Sequence, residues 1–178
     1  MVKRCFVSID LPREVKDYLG RLARPDIYWI KWTKPANYHI TLNFLGDLNP
    51  QRVSETEAVL AEVSPYFKPF ALRLSQLETS RDMLWLLPDD GSVLTDLQDE
   101  LKVRLRGARI GKRERRGYMP HVLLARSKTG RNMQQVIENF EPKEFTVDKI
   151  NLYESELTPG SATHRLIKSF KFPNSNAQ

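Results

Sequence analysis

The sequence predicts an α+β fold carried by largely antiparallel sheet. Short apolar or alternating runs, several in hairpin order, are interleaved with stretches whose apolar residues recur at helical spacing. No linker or low-complexity segment divides the 178 residues, so residues 1–178 read as a single unit.

"RCFVSIDL", Arg4 to Leu11, is the first strand, and Pro12 opens a helix running to about Leu22. "IYWIKW" is a short aromatic strand, and Lys34 to Asn37 is a turn. "YHITLNFLG", Tyr38 to Gly46, follows as a strand. Asn49 then caps a helix that begins at Pro50 and continues to about Val63. "FALRLSQLE" and "DMLWLLP" form a strand pair turning near Ser80 and Arg81. From Ser92 to about Arg106, Val93, Leu94, Leu97, Leu101 and Leu105 mark one face of a helix. "YMPHVLLAR" is another strand, with proline at its start. A short helix is expected from Asn132 to Phe140, then "FTVDKINLYES" and "HRLIKSFKF" as two strands. Pro159-Gly160 is the type II turn between them, and the tail after Phe172 is expected to fray.

Composition narrows the function. Apolar residues at 40% and charged residues at 28% are values of an ordinary globular chain. One cysteine, Cys5, allows neither an intrachain disulfide nor a thiolate cluster and fits a reducing compartment. The N-terminal apolar run is broken by Ser8 and Asp10, so a cytoplasmic protein without a membrane segment is expected. The net charge of +6 points to an anionic partner, and the run from Lys102 to Arg116 holds eight basic residues against Glu114. That run reads either as a solvated helix end or as a phosphate-backbone patch.

The chemistry gathers at two histidine strands. Strand alternation puts His39, Thr41 and Asn43 on one face and Tyr38, Ile40, Leu42 and Phe44 on the other. The first face is polar throughout, which favours a groove over a core. In the second strand His121 shares its face with Leu123. A regular strand would carry Arg126 on the side of Leu124, at the strand end where an anion can reach it. His39 and His121 stand 82 positions apart, each following an aromatic, and this weak repeat suggests two similar lobes.

The motifs "FVSIDLP", "NYHITLNFLGDL", "PHVLLAR" and "LYESELTPGSATHRLIKSF" together resemble the 2H phosphoesterase superfamily, within it the RNA 2′,3′-cyclic phosphodiesterase family, also called 2′–5′ RNA ligase. The resemblance implies a bilobal fold: two pseudo-symmetric lobes whose antiparallel sheets flank a central groove, with helices outside. It implies hydrolysis of a terminal 2′,3′-cyclic phosphate on RNA to a 2′-phosphate, without metal or cofactor, by a monomer. Its partners would be RNA with 2′,3′-cyclic phosphate or 2′-phosphate ends. His39 would be the general acid and His121 the general base, with Thr41 and Arg126 on the phosphate. Histidine's ordinary pKa of about 6.5 suits either role near neutrality.

The family's second threonine is replaced by Leu123, which cannot donate a hydrogen bond. This keeps a second reading open, a non-catalytic RNA-end binder, unless Arg126, Arg115 or Arg116 supplies the missing contact. A histidine-based metal site is a third reading, but carboxylate or thiolate ligands are missing beside the motifs. His164, where relatives often carry tyrosine, is either a substrate contact or a solvated strand histidine. Phe44 and Trp85 are candidate base-stacking residues, although large aromatics more often pack the core.

Overall fold

The structure is a computed structural model describing residues 1–111, 117–133, 136–158 and 161–174. Its strands are β1 (Lys3–Asp10), β2 (Ile30–Trp32), β3 (His39–Leu48), β4 (Phe70–Ser80), β5 (Met83–Pro88), β6 (Val122–Ser127), β7 (Lys143–Val147), β8 (Lys149–Thr158) and β9 (Ser161–Lys171). Its α-helices are α1 (Arg13–Arg21), α2 (Pro50–Val63) and α3 (Ser92–Gly107).

The strands form one antiparallel sheet in the order β7-β4-β5-β6-β3-β1-β8-β9, with β2 alongside β6. Its two halves, β7-β4-β5-β6 and β3-β1-β8-β9, meet at a single rung where Ile40 faces Val122. The expected α+β, two-lobed architecture is what the chain adopts, with the lobes fused into one curled sheet.

Local chemistry explains most elements. The Asn49 side chain accepts from the Arg52 N–H at 2.9 Å, and Pro50 fills the first turn of α2. Leu94, Leu97, Leu101 and Leu105 are all buried, so the helical spacing in α3 is the core stripe. Burying each such side chain contributes roughly 1.5–3 kcal/mol. Arg81 takes φ 54° in the β4–β5 turn. No helix among the described residues is long and apolar enough to cross a membrane.

Three expectations need correction. "FTVDKINLYES" is two strands: β7 pairs with β4 and β8 with β1, in opposite halves of the sheet. The break shows in the burial phase, which runs Phe145 and Val147, then Ile150 and Leu152. The helix expected from Asn132 to Phe140 is not formed over its described residues. Met133 and Ile137 are buried singly from a loop, and Asn139 at φ 55° is incompatible with continued helix. The aromatic strand shortens to Ile30–Trp32. Gln134 and Gln135, the Pro159-Gly160 turn and the end of the tail lie outside the described residues.

Candidate active site

β3 and β6 are not regular strands, and their irregularities build the site. In β3, Asn43 pairs with Val7 and Thr41 with Ser8, so Leu42 is an extra residue. In β6, Leu123 pairs with Trp85 and Ala125 with Leu84, so Leu124 is extra. A bulge shifts every later side chain to the opposite face. Leu42 and Asn43 are therefore both buried, as are Leu124 and Ala125. The groove side carries His39, Thr41 and Phe44 from β3, and His121, Leu123 and Arg126 from β6 and the residue before it. The two sets share one spacing.

Two sequence readings change accordingly. Phe44 does not anchor the strand in the core with Tyr38, Ile40 and Leu42; it is 60% exposed and lines the groove. Arg126 leaves the side of Leu124 and joins His121 and Leu123.

The groove has a volume of about 630 Å³. Arg4, Lys31, Lys34 and Arg126 line it together with His39, His121 and His164, and no carboxylate is among the lining residues described. Such a surface attracts an anion.

Both motif imidazoles are oriented in the same way. His39 Nδ1 lies 2.7 Å from the Asn37 carbonyl oxygen, and His121 Nδ1 lies 2.8 Å from that of Met119. A carbonyl can only accept, so Nδ1 carries the proton and Nε2 is left for the groove. At His39, Nε2 accepts from the Thr41 hydroxyl at 3.0 Å. Burial pushes the His39 pKa down to about 4, against the upward pull of the Asn37 carbonyl and Asp10. His121 is also lowered, by burial first and then by the charge of Arg126.

Each ring rests on an aromatic. Phe6 packs against His39 with centroids 5.0 Å apart, and Trp85 stacks on His121 at 4.4 Å. Trp85 is half-buried beneath the histidine, so its indole is neither free for a base nor lost in the core. His164 is not a solvated strand histidine. It is half-buried, edge-on to His39 at 5.1 Å and to Phe6 at 4.9 Å, with its pKa lowered chiefly by burial. Tyr153 stacks on Phe6 and donates to Asp10 Oδ2 at 2.6 Å. Phe6, Asp10 and Tyr153 escape a sequence reading, because no spacing links β1 to β8.

Arg115 and Arg116 lie outside the described residues. Of the basic run before them, Lys102 and Arg104 are paired within α3 to Asp99 and Glu100. No group of three histidine, cysteine, aspartate or glutamate side chains that could hold a metal ion occurs among the described residues.

Comparison with known proteins adds sequence and fold. The model of the 2′-5′ RNA ligase superfamily matches residues 33–159. A protein of Methanothermobacter thermautotrophicus named RNA 2′,3′-cyclic phosphodiesterase is 25% identical over 96% of this chain and 100% of its own. One of Aquifex aeolicus with the same name is 27% identical over 95% of this chain and 97% of its own. The crystal structure of E. coli LigT complexed with 3′-AMP superposes with a TM-score of 0.79 at 18% identity, covering 97% of this chain and 99% of that one, which supports the fold.

Proposed function

The chain belongs to the 2′-5′ RNA ligase superfamily, and on that premise we propose that it hydrolyses the 2′,3′-cyclic phosphate at the end of an RNA to a 2′-phosphate. The observation that carries the reading is the pair of imidazoles, each with Nδ1 on a backbone carbonyl and Nε2 toward one carboxylate-free, cation-lined groove. The names of the relatives point the same way.

In this reading His121 Nε2 takes a proton from water as the water oxygen bonds to phosphorus. The P–O3′ bond breaks on the opposite side, and His39 Nε2 delivers a proton to the departing oxygen. Each positioned acid or base contributes roughly 10²–10⁴-fold. Free His39 is neutral at pH 7, but a bound phosphate anion favours its imidazolium and so charges the acid when substrate is present. The Thr41 hydroxyl and Arg126 hold phosphoryl oxygens, and Phe44 offers its exposed ring to the terminal base. His164, beside His39, faces the same ribose. Joining RNA ends through a 2′–5′ bond is the same ring opening in the same groove with the 5′-hydroxyl of a second RNA in place of water: its oxygen bonds to phosphorus as the P–O3′ bond breaks. We assign the activity to a cytoplasmic monomer working without a metal.

Leu123 in the groove favours one alternative, an RNA-end binder without turnover. Single-turnover hydrolysis of an oligonucleotide ending in 2′,3′-cyclic phosphate, in EDTA, separates the two. Wild type is expected to open the ring and the His39→Ala/His121→Ala double variant to leave it closed. Equal rates for the two proteins, with binding retained, would establish the binder.

A further inference from the structure

The chemistry above leaves a carboxylate beside His39 without a task. Ser8 and Asp10 interrupt the otherwise apolar run of β1. The register of β1 with β3 sets Asp10 directly opposite His39. Side chains of such a pair leave the same face of the sheet, with Cβ atoms about 4.5–5.5 Å apart. Asp10 is half-buried and is not one of the described groove-lining residues, so it reaches a substrate only through the histidine.

How the carboxylate is held decides what it can do. Asp26, Glu55, Asp89 and Glu154 are each paired with an arginine. Among the described residues Asp10 is in no ion pair, and its Oδ2 accepts from the Tyr153 hydroxyl at 2.6 Å. Burial first, then the bond to Asp10, pushes the Tyr153 phenol up, so it stays a neutral donor. A neutral donor fixes the carboxylate and leaves its charge uncancelled. Tyr153 is itself steadied by stacking on Phe6, the ring on which His39 rests.

That charge is felt at two imidazoles. Burial lowers both His39 and His164. Against it Asp10 pulls each back up, while Lys16 on α1 pulls each further down. His164 adds a downward pull of its own on His39, and the Asn37 carbonyl an upward one. Of these groups Asp10 alone brings a negative charge. The acid assigned above must be an imidazolium to give its proton to the leaving oxygen.

We propose that Asp10 is a positioning residue for that acid: held by Tyr153, it is the fixed counter-charge that keeps the proton on His39 Nε2 when substrate is bound. The inference rests on the role given to His39 in the function proposed above and deepens it.

The test uses single variants of the full chain. Asp10→Asn keeps the size and an oxygen that can accept from Tyr153, but removes the charge. Tyr153→Phe removes the hydroxyl and keeps the charge, and Lys16→Gln removes the opposing charge. Imidazole NMR titration with inorganic phosphate in the groove should find the His39 pKa about one unit lower in Asp10→Asn than in wild type, tenfold in the protonation equilibrium. In Lys16→Gln it should be higher. A general acid is lost as pH rises through its pKa. The falling limb of kcat against pH should therefore move to lower pH in Asp10→Asn, with kcat above that limb about tenfold down and KM little changed. It should move to higher pH in Lys16→Gln and stay near the wild-type position in Tyr153→Phe. Asp10→Glu, which returns the charge, should restore most of the loss. An unmoved His39 pKa in Asp10→Asn, or equal losses in Asp10→Asn and Tyr153→Phe, makes Asp10 an acceptor for the phenol only and overturns the proposal. Wild type that leaves the cyclic phosphate closed would sink the phosphodiesterase reading alone, while the titration still decides whether Asp10 sets the charge of His39.

Discussion

Trp85 lies beneath His121 with ring centroids 4.4 Å apart and planes 24° from parallel. Together with the Met119 carbonyl on Nδ1, it fixes the ring in both tilt and rotation. Indole is also the side chain whose face best accommodates a cation. Replacing Trp85 with Leu should lower kcat about tenfold with little change in KM, because a loosened base loses part of its roughly 10²–10⁴-fold contribution. Trp85→Phe, which keeps a ring face, should recover most of it. Steady-state kinetics of the two variants checks this, and a loss confined to KM would assign Trp85 to substrate binding instead.

The low pKa of His39 has a defined consequence for pH. An unfolded histidine titrates at about 6.5, whereas His39 in the folded chain is held down to about 4 by burial. Between those values the unfolded chain binds more protons than the folded one, so this group makes stability fall as pH drops from about 6.5 to about 4. Inorganic phosphate in the groove should raise the His39 pKa by at least one unit. Imidazole NMR titration with and without phosphate measures it. A free value at or above 6.5 would show that burial does not govern the group.

Thr41 and Leu123 hold corresponding places beside the two histidines, and only Thr41 has a hydroxyl. Leu123→Thr should raise turnover several-fold. An oxyanion donor is worth about 10²–10³ at most, and Arg126 already reaches the same side. Thr41→Val should cost more than Leu123→Thr gains, since it removes both a phosphate donor and the partner of His39 Nε2. Unchanged turnover in Leu123→Thr would mean that another donor already fills that place.

Two glycines let prolines press close, just ahead of the histidines. A Cβ on Gly91 would sit 2.8 Å from the Pro120 ring next to His121, and one on Gly20 would sit 2.7 Å from the Pro35 ring upstream of His39. A proline ring cannot swing aside, so each Gly→Ala change should cost about 1–3 kcal/mol by overpacking. Gly91→Ala should also lower kcat by displacing His121. Urea unfolding and kinetics on each variant test this; full stability and activity would show that the prolines can shift.

The elements that bury a plain stripe or alternate without interruption are legible in the sequence, α2, α3 and β5 among them. The histidine pair is legible too, because a polar face on β3 and a repeat 82 residues later are one-dimensional signals. Phe44 and Arg126 are misread for a common reason. A single inserted residue, Leu42 or Leu124, reverses the alternation, and leucine carries no mark of a bulge. The third histidine is readable as a residue but not as a neighbour of His39, since that contact depends on β8 and β9 folding back beside β1. The opposition of Asp10 and His39 likewise follows from strand register alone.

The anchors of the two imidazoles carry one more implication. Asn37 and Met119 share no side-chain chemistry, yet each presents its main-chain oxygen to a histidine Nδ1. That oxygen belongs to every amino acid, so a point mutation at either position changes the side chain and leaves the acceptor in place. Ring orientation is thereby written into the path of the chain and shielded from mutational drift, while the neighbouring positions are free to diverge into Thr41 and Leu123, or Phe44 and Arg126.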